Sequence, residues 1–297
     1  MMKASAAIRT AIGAALCTAI ALSAPTAHAA DYRLAVEPTL PAEQISDVYQ
    51  PLLTYLKRRT GHNFRLVEAR NYNSYWRDLR ANVPVDFAFE DAHFADFRIQ
   101  FNGFVPVARN TESTVYALIA SPEYEGQDIR ALIGEPVACM GAPSLGFALL
   151  VQMYDNNPLS QPSVRSNAAS WRDEVQMIFA DEVKGAVVPA HLAEEFYNLP
   201  TLARTQPVPG RAFTASPAVP EEVITAIGEA LESLHEDPDL YDVLAELGVS
   251  QFVPATAAEY AGQSELLRGF YGYDKAVEER AKKAADAAAA DEPATSP

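Results

Sequence analysis

Apolar positions along the chain follow two alternating periods. Short apolar, β-branched or aromatic runs at residues 34–36, 64–67 and 85–89 are separated by stretches whose apolar residues recur every three or four positions. The stretch 48–60 sets Leu52, Leu53, Tyr55 and Leu56 on one face and stops at Gly61, so it predicts a helix. Residues 72–81, with Trp76 and Leu79 turned inward, and residues 91–101 predict two more. The rhythm restarts after residue 113. Strands are expected at 114–120, 136–140, 184–188 and 201–205, and helices at 128–133, 144–155, 169–180 and 190–197. Three further helices are expected at 221–235, 238–247 and 257–270.

This order predicts an α/β protein of two lobes, each a mainly parallel sheet flanked by helices. The first lobe takes residues 31–113 and 208–273, and the second takes 114–207. The segment Gln206-Pro207-Val208-Pro209-Gly210 reads as the return crossing. Two crossings let the lobes hinge and close on a ligand, which in such sheets lies outside the carboxyl ends of the strands. Residues 274–297 are rich in Ala and charge and predict a tail that passes from helix into disorder.

The amino terminus does not join this pattern. Residues 1–29 carry Lys3 and Arg9, no acid, an apolar run from Ala11 to Leu22, and then Ala27-His28-Ala29. That is the layout of a secretory signal peptide cut after Ala29 or Ala30, and it implies a periplasmic product. Cys17 follows Leu16 inside the apolar run, a poor setting for lipidation. The mature chain then keeps one cysteine, Cys139, expected as a buried core thiol. With 39 acids against 23 bases the net charge is -16, and removal of Lys3 and Arg9 brings it to -18. This charge excludes a nucleic-acid backbone and an anionic bilayer as partners.

Several segments resemble one family when taken in order. They are Tyr49-Gln50-Pro51-Leu52-Leu53-Thr54-Tyr55-Leu56, Val85-Asp86-Phe87-Ala88-Phe89, Tyr116-Ala117-Leu118-Ile119-Ala120 and the turn from Asp128 through Gly134 into Ala138. Ala142-Pro143-Ser144-Leu145-Gly146 completes the set. Together they resemble the periplasmic phosphate/phosphonate-binding proteins, the substrate-binding subunits of ABC importers with the type 2 periplasmic-binding fold. The resemblance covers residues 32–260. It implies a soluble receptor that performs no covalent chemistry, uses no cofactor, and delivers a small polar ligand to an inner-membrane permease as a monomer. The chain departs from the family at three places. Its ligand loop offers Ser144 alone where the family has three hydroxyls. Trp171 follows Ser170 where the family often has His, and Glu90-Asp91 follow the third strand in place of a small turn.

The candidate ligand-binding residues are Ser144, Tyr49, Glu90, Asp91, Tyr116 and Trp171. Ser144 opens a helix, where free N–H groups suit an anion, although capping its own helix is an equal role. A serine nucleophile is excluded because the pattern G-x-S-x-G needs glycine at position 142, which is Ala. Glu37, Glu90 and Asp91 follow strands of the first lobe, oppose a bare dianion and suit an ammonium group; a helix cap at Asp91 and solvation of the others are the plainer alternatives. His93 and Asp96 nearby match no metal signature. Tyr49, Tyr116, Phe147 and Trp171 come from both lobes and can face a cation or stack on a ring, against the commoner role of core packing. Acids, aromatics and one helix terminus together suit a zwitterion, such as an aminoalkylphosphonate or a betaine-like amine. A ligand-sensing subunit feeding a membrane sensor kinase or cyclase is the rival function for the same fold.

Overall fold

The computed structural model describes residues 29–291. The expected leader, but for Ala29, and the end of the tail after Asp291 lie outside the described residues. The first part of the chain forms β1 (Asp31–Val36), α1 (Ala42–Thr60), β2 (Asn63–Val67), α2 (Tyr72–Arg80), β3 (Phe87–Glu90), α3 (Ala92–Phe97) and β4 (Val105–Asn110). The chain crosses to β5 (Tyr116–Ala120), β6 (Pro136–Ala138), α4 (Leu145–Met153), β7 (Ser163–Arg165), α5 (Trp171–Phe179), β8 (Gly185–Pro189), α6 (Ala190–Glu195) and β9 (Thr201–Arg204). It returns through β10 (Ala212–Ala215), α7 (Glu221–Glu232), α8 (Tyr241–Leu247), β11 (Phe252–Pro254), α9 (Ala257–Tyr260) and α10 (Tyr273–Asp291).

These strands build two sheets, in the orders β11-β4-β10-β3-β1-β2 and β7-β6-β8-β5-β9. Both sheets are mixed, a correction to the mainly parallel expectation. The β-α rhythm does run β2, β1, β3 and β4 in one sense. The returning strand β10 then inserts between β3 and β4 in the opposite sense. The second sheet mirrors this: β6, β7 and β8 are parallel, and β5, which arrives from the first lobe, inserts antiparallel between β8 and β9. Each lobe is thus stitched by the strand that the crossing brings in.

Residue alternation covers both faces of the first sheet. In β3, Phe87 and Phe89 point toward α1 and α7, while Ala88 points toward the aromatic packing of Trp76, Phe94 and Phe97 from α2 and α3. α1 begins earlier than expected, at Ala42, because Ile45 extends the buried stripe of Tyr49, Leu52 and Leu56. It ends at Gly61, whose φ of 75° only glycine adopts without strain. Cys139 lies just beyond β6, is fully buried and free, and burial pushes its thiol well above the usual range.

The crossings touch each other. Thr114 and Val208 exchange backbone bonds of 2.9 and 3.0 Å, and Asn110 donates to the Arg211 carbonyl at 3.1 Å. A third link lies near the carboxyl end. The expected helix 257–270 is broken at Gly262 and Gly269, both at φ +88°, and between them Leu266 enters the second-lobe core while Leu267 enters the first. The beginning of the tail docks as well: Ala276 packs on the first lobe, and Arg280 Nη2 donates to Gln100 Oε1 at 2.8 Å.

Gly210 sits where the crossings press closest. A methyl group there would stand 2.3 Å from the Glu112 carbonyl oxygen and 2.7 Å from that of Asn110. Gly210→Ala should therefore cost ~1–3 kcal/mol of overpacking and lower Tm by ~3–8 °C, as thermal denaturation will read. An unchanged Tm would show that the two crossing segments separate freely.

Candidate functional site

The site grows from the end of β3. The strand finishes at Glu90, α3 starts at Ala92, and Asp91 occupies the joint with extended backbone angles. Its side chain does not cap α3. The Asp91 N–H donates to the Glu37 carboxylate, and the Asp91 carboxylate turns to Arg211, whose Nε stands 3.8 Å away. Arg211 leads into β10 directly after Gly210 and stands over Phe89, with its guanidinium carbon 4.1 Å from the ring centroid. Tyr49 from α1, Tyr72 at the start of α2 and Tyr116 at the start of β5 surround this group, and all are buried.

Three ionisable side chains thus share a seam almost without water. Glu37 is fully buried, Asp91 is 3% exposed and Arg211 7%. Burial lifts the Glu37 carboxyl well above the usual range, and the neighbouring Asp91 lifts it further. Burial also raises Asp91, to about 6, with Arg211 opposing the shift. Burial works against the charge of Arg211, but Tyr49, Asp91 and Glu37 outweigh it, so the guanidinium stays charged. Glu37 Oε2, the Tyr49 hydroxyl and Arg211 Nη2 are buried without a hydrogen-bond partner. Unsatisfied polar groups of this kind suit a polar ligand.

The remaining candidates separate. Glu90 is the residue next to Asp91, yet strand alternation turns it to the opposite face of the sheet. There it accepts from Arg98 Nε at 2.8 Å and from the Tyr75 hydroxyl, in a fully buried pair. Its carboxylate is held within the first lobe. The Ser144 hydroxyl caps α4, accepting from the Phe147 N–H at 3.2 Å and donating to the Met140 carbonyl at 3.1 Å. Trp171, in the first turn of α5, meets Tyr116 edge to face with centroids 6.3 Å apart. Gly146 earns its place through Tyr116, whose ring would stand 2.9 Å from a β-carbon there. Phe147 packs on Phe270 of the carboxyl-terminal strap. His93 Nε2 donates to the Pro143 carbonyl at 2.9 Å, tying α3 to the loop before α4. Burial holds this imidazole neutral, with its pKa lowered to about 4. Among the described residues no cluster of His, Cys, Asp and Glu can hold a metal ion.

Arg211 is the residue that reading the sequence missed. The one available signal was a lone basic residue after Pro209-Gly210 at the return crossing, in an acidic chain.

Two cavities open between the lobes beside the cluster. One of about 180 Å³ is bounded by Pro38, Asn71, Tyr72, Met140, Gly141 and Ser166. The other, about 80 Å³, is bounded by Thr39, Gln44, Ser170, Trp171, His191 and Arg211. A larger groove of about 900 Å³ lies between α4 and residues 262–270, away from the buried charges. Of the residues with an unpaired buried polar atom, Arg211 borders the smaller of these interlobe cavities, and the chemistry points there.

A seam that brings buried charge and hydroxyls together between two lobes joined by crossing strands defines a solute receptor of the two-lobed periplasmic-binding type. The sequence profile of one family, described as ABC transporter, phosphonate, periplasmic substrate-binding protein, matches residues 34–260, and the chain belongs to that family. PhnD1 from Prochlorococcus marinus, solved with methylphosphonate, superposes with a TM-score of 0.67 at 11% identity, over 80% of this chain and 97% of that one. A binding protein component of a phosphonate ABC transporter from Pseudomonas aeruginosa gives 0.64 at 15% identity, over 87% and 99%. A Xanthomonas citri protein bound to ATP gives 0.60 at 15%, over 84% and 98%. No curated protein matches the chain by sequence. The family is periplasmic and serves transport, and no described helix is long and apolar enough to cross a membrane.

Two outcomes test the electrostatics. Asp91 is raised in the folded protein, so the native state binds its proton more readily than the unfolded chain, and stability gained from it grows as pH falls through about 6 toward 4. His93 is lowered, so the stability it lends is lost as pH falls from 6.5 toward about 4. Relative to wild type, Asp91→Asn should lose stability across that window and His93→Gln should gain it, each by on the order of 2–3 kcal/mol. Urea titrations at pH 7.5 and 4.5 decide this, and parallel curves for all three proteins would refute both assignments. Glu90→Gln should break a buried pair and cost ~3 kcal/mol in the same titrations at pH 7.5. A wild-type midpoint would place Glu90 outside the structural pair.

Proposed function

We propose that this chain captures a small phosphonate between its lobes, a zwitterionic aminoalkylphosphonate in preference to a bare anion, and presents it to an ABC permease. The observation that carries the reading is the Glu37–Asp91–Arg211 cluster under Tyr49, Tyr72 and Tyr116, in a member of the phosphonate-receptor family. Acidic oxygens accept from an ammonium group, and tyrosine rings favour it as neighbours. Lobe closure removes water from both, which strengthens each contact. The strands on either side of Gly210 act as the hinge, and the protein works as a soluble monomer after export. Transport is favoured over signalling to a sensor by the family alone, since both uses need the same closure.

A thermal-shift series at pH 7 with methylphosphonate, 2-aminoethylphosphonate, inorganic phosphate and glycine betaine tests the ligand class. A ligand at one hundred times its Kd stabilises by ~2.7 kcal/mol, which is ~5–10 °C for a domain of this size. 2-Aminoethylphosphonate should give the largest shift. A larger shift with phosphate would show that the carboxylates do not select an amine.

A further inference from the structure

The capped Ser144 leaves open which group holds the ligand's negative end. Its hydroxyl is committed to the Phe147 N–H and the Met140 carbonyl, and its neighbours Pro143 and Leu145 bring no hydroxyl. The Pro143 carbonyl is held by His93. Arg211 has the opposite character. Its side chain is 9% exposed, its Nη2 is buried without an acceptor, and its nearest carboxylate, Asp91, stands at 3.8 Å, beyond hydrogen-bond reach. The guanidinium carbon stands 4.1 Å over the Phe89 ring centroid. The side chain borders the 80 Å³ cavity between the lobes, opposite Ser170 and Trp171 and beside Thr39 and Gln44.

We propose that Arg211 is the oxyanion-gripping residue of this receptor, binding the phosphonate or other oxyanion group of the ligand from the first lobe in place of the hydroxyl loop at α4. A guanidinium offers two parallel N–H donors that match a pair of oxyanion oxygens, and a desolvated one binds them more strongly than an exposed one. Glu37 and Asp91 hold Arg211 ready while the site has no anion. When the anion arrives they oppose it unless they take up protons or face the ligand's ammonium group, so they act as a filter against bare dianions. Both carboxyls already sit above their usual range, which makes that protonation accessible. Other charged and titratable groups around Asp91 are Glu90, Tyr72 and Tyr116. The position of Arg211, one residue after Gly210, couples the grip to the crossing that moves when the lobes close.

The identity of the ligand rests on the phosphonate reading above, whereas the place of contact does not. Calorimetric titration at pH 7 of wild type, Arg211→Gln, Arg211→Lys, Asp91→Asn and Ser144→Ala will use 2-aminoethylphosphonate, methylphosphonate, inorganic phosphate, methanesulfonate and acetate. For whichever oxyanion binds wild type, Arg211→Gln should weaken it ~100-fold and Arg211→Lys, which keeps the charge beside Glu37 and Asp91 and guards against a folding failure, ~10-fold. Asp91→Asn should strengthen methylphosphonate severalfold, and Ser144→Ala should change any affinity by less than ~3-fold. Wild-type affinity in both Arg211 variants, or a large loss in Ser144→Ala, overturns the proposal. Binding of sulfonate or acetate alone, with the same dependence on Arg211, refutes the phosphonate reading and leaves the grip standing. A wild-type protein that binds none of the five oxyanions overturns the grip itself.

Discussion

One guanidinium and two carboxylates lie together in the seam between the lobes, and the cost of keeping them there organises the rest of the molecule. Charge removed from water must be matched by nearby charge or hydrogen bonds. Arg211 answers Asp91 across 3.8 Å and rests on Phe89, while Glu37 accepts from the Asp91 backbone. The match is incomplete, as the free Glu37 Oε2, Tyr49 hydroxyl and Arg211 Nη2 show. The cluster is satisfied in part and lies beside Tyr116 of the second lobe, so its surroundings come from both lobes.

The crossing strands position that cluster. β10 enters the first sheet between β3 and β4, and β5 enters the second between β8 and β9, so neither lobe is complete without the strand that the crossing brings. Gly210 lets the two crossings pass at close range, and the next residue is Arg211. The strap at Leu266 and Leu267 adds a third bond between the lobes, with consecutive side chains in different cores.

One pair of neighbouring residues shows how far chemistry departs from sequence proximity. Glu90 and Asp91 are adjacent acids after the same strand, and a reading by position puts both in the cleft. The pleat separates them: Glu90 neutralises Arg98 inside the first lobe, whereas Asp91 faces Arg211. Ser144 takes the second of its two expected roles, the helix cap, and Arg211 carried no expected role at all. The serine stands where the family's hydroxyl loop would be and is used as a cap, while the arginine lies in a stretch without any periodic pattern.

Hydrophobic period, turn residues and the ordered family segments determined by themselves the α/β class, two lobes, the return at Gln206–Gly210 and most helices, because those features are written locally as apolar spacing and glycine or proline stops. Tyr49, Asp91, Tyr116 and Trp171 were named from the sequence as candidates, and the fold brings Tyr49, Asp91 and Tyr116 around Arg211 with Trp171 against Tyr116. The short strands β4, β7, β10 and β11 were not, since three to six residues flanked by proline or glycine carry too little pattern to show a partner. The mixed sense of the sheets, the burial of Glu90 against Arg98 and the entry of Arg211 into the seam were decided only in three dimensions. Each depends on which distant segment pairs with which, and a charge next to nothing in sequence acquires its meaning from the opposite charge that the fold brings beside it.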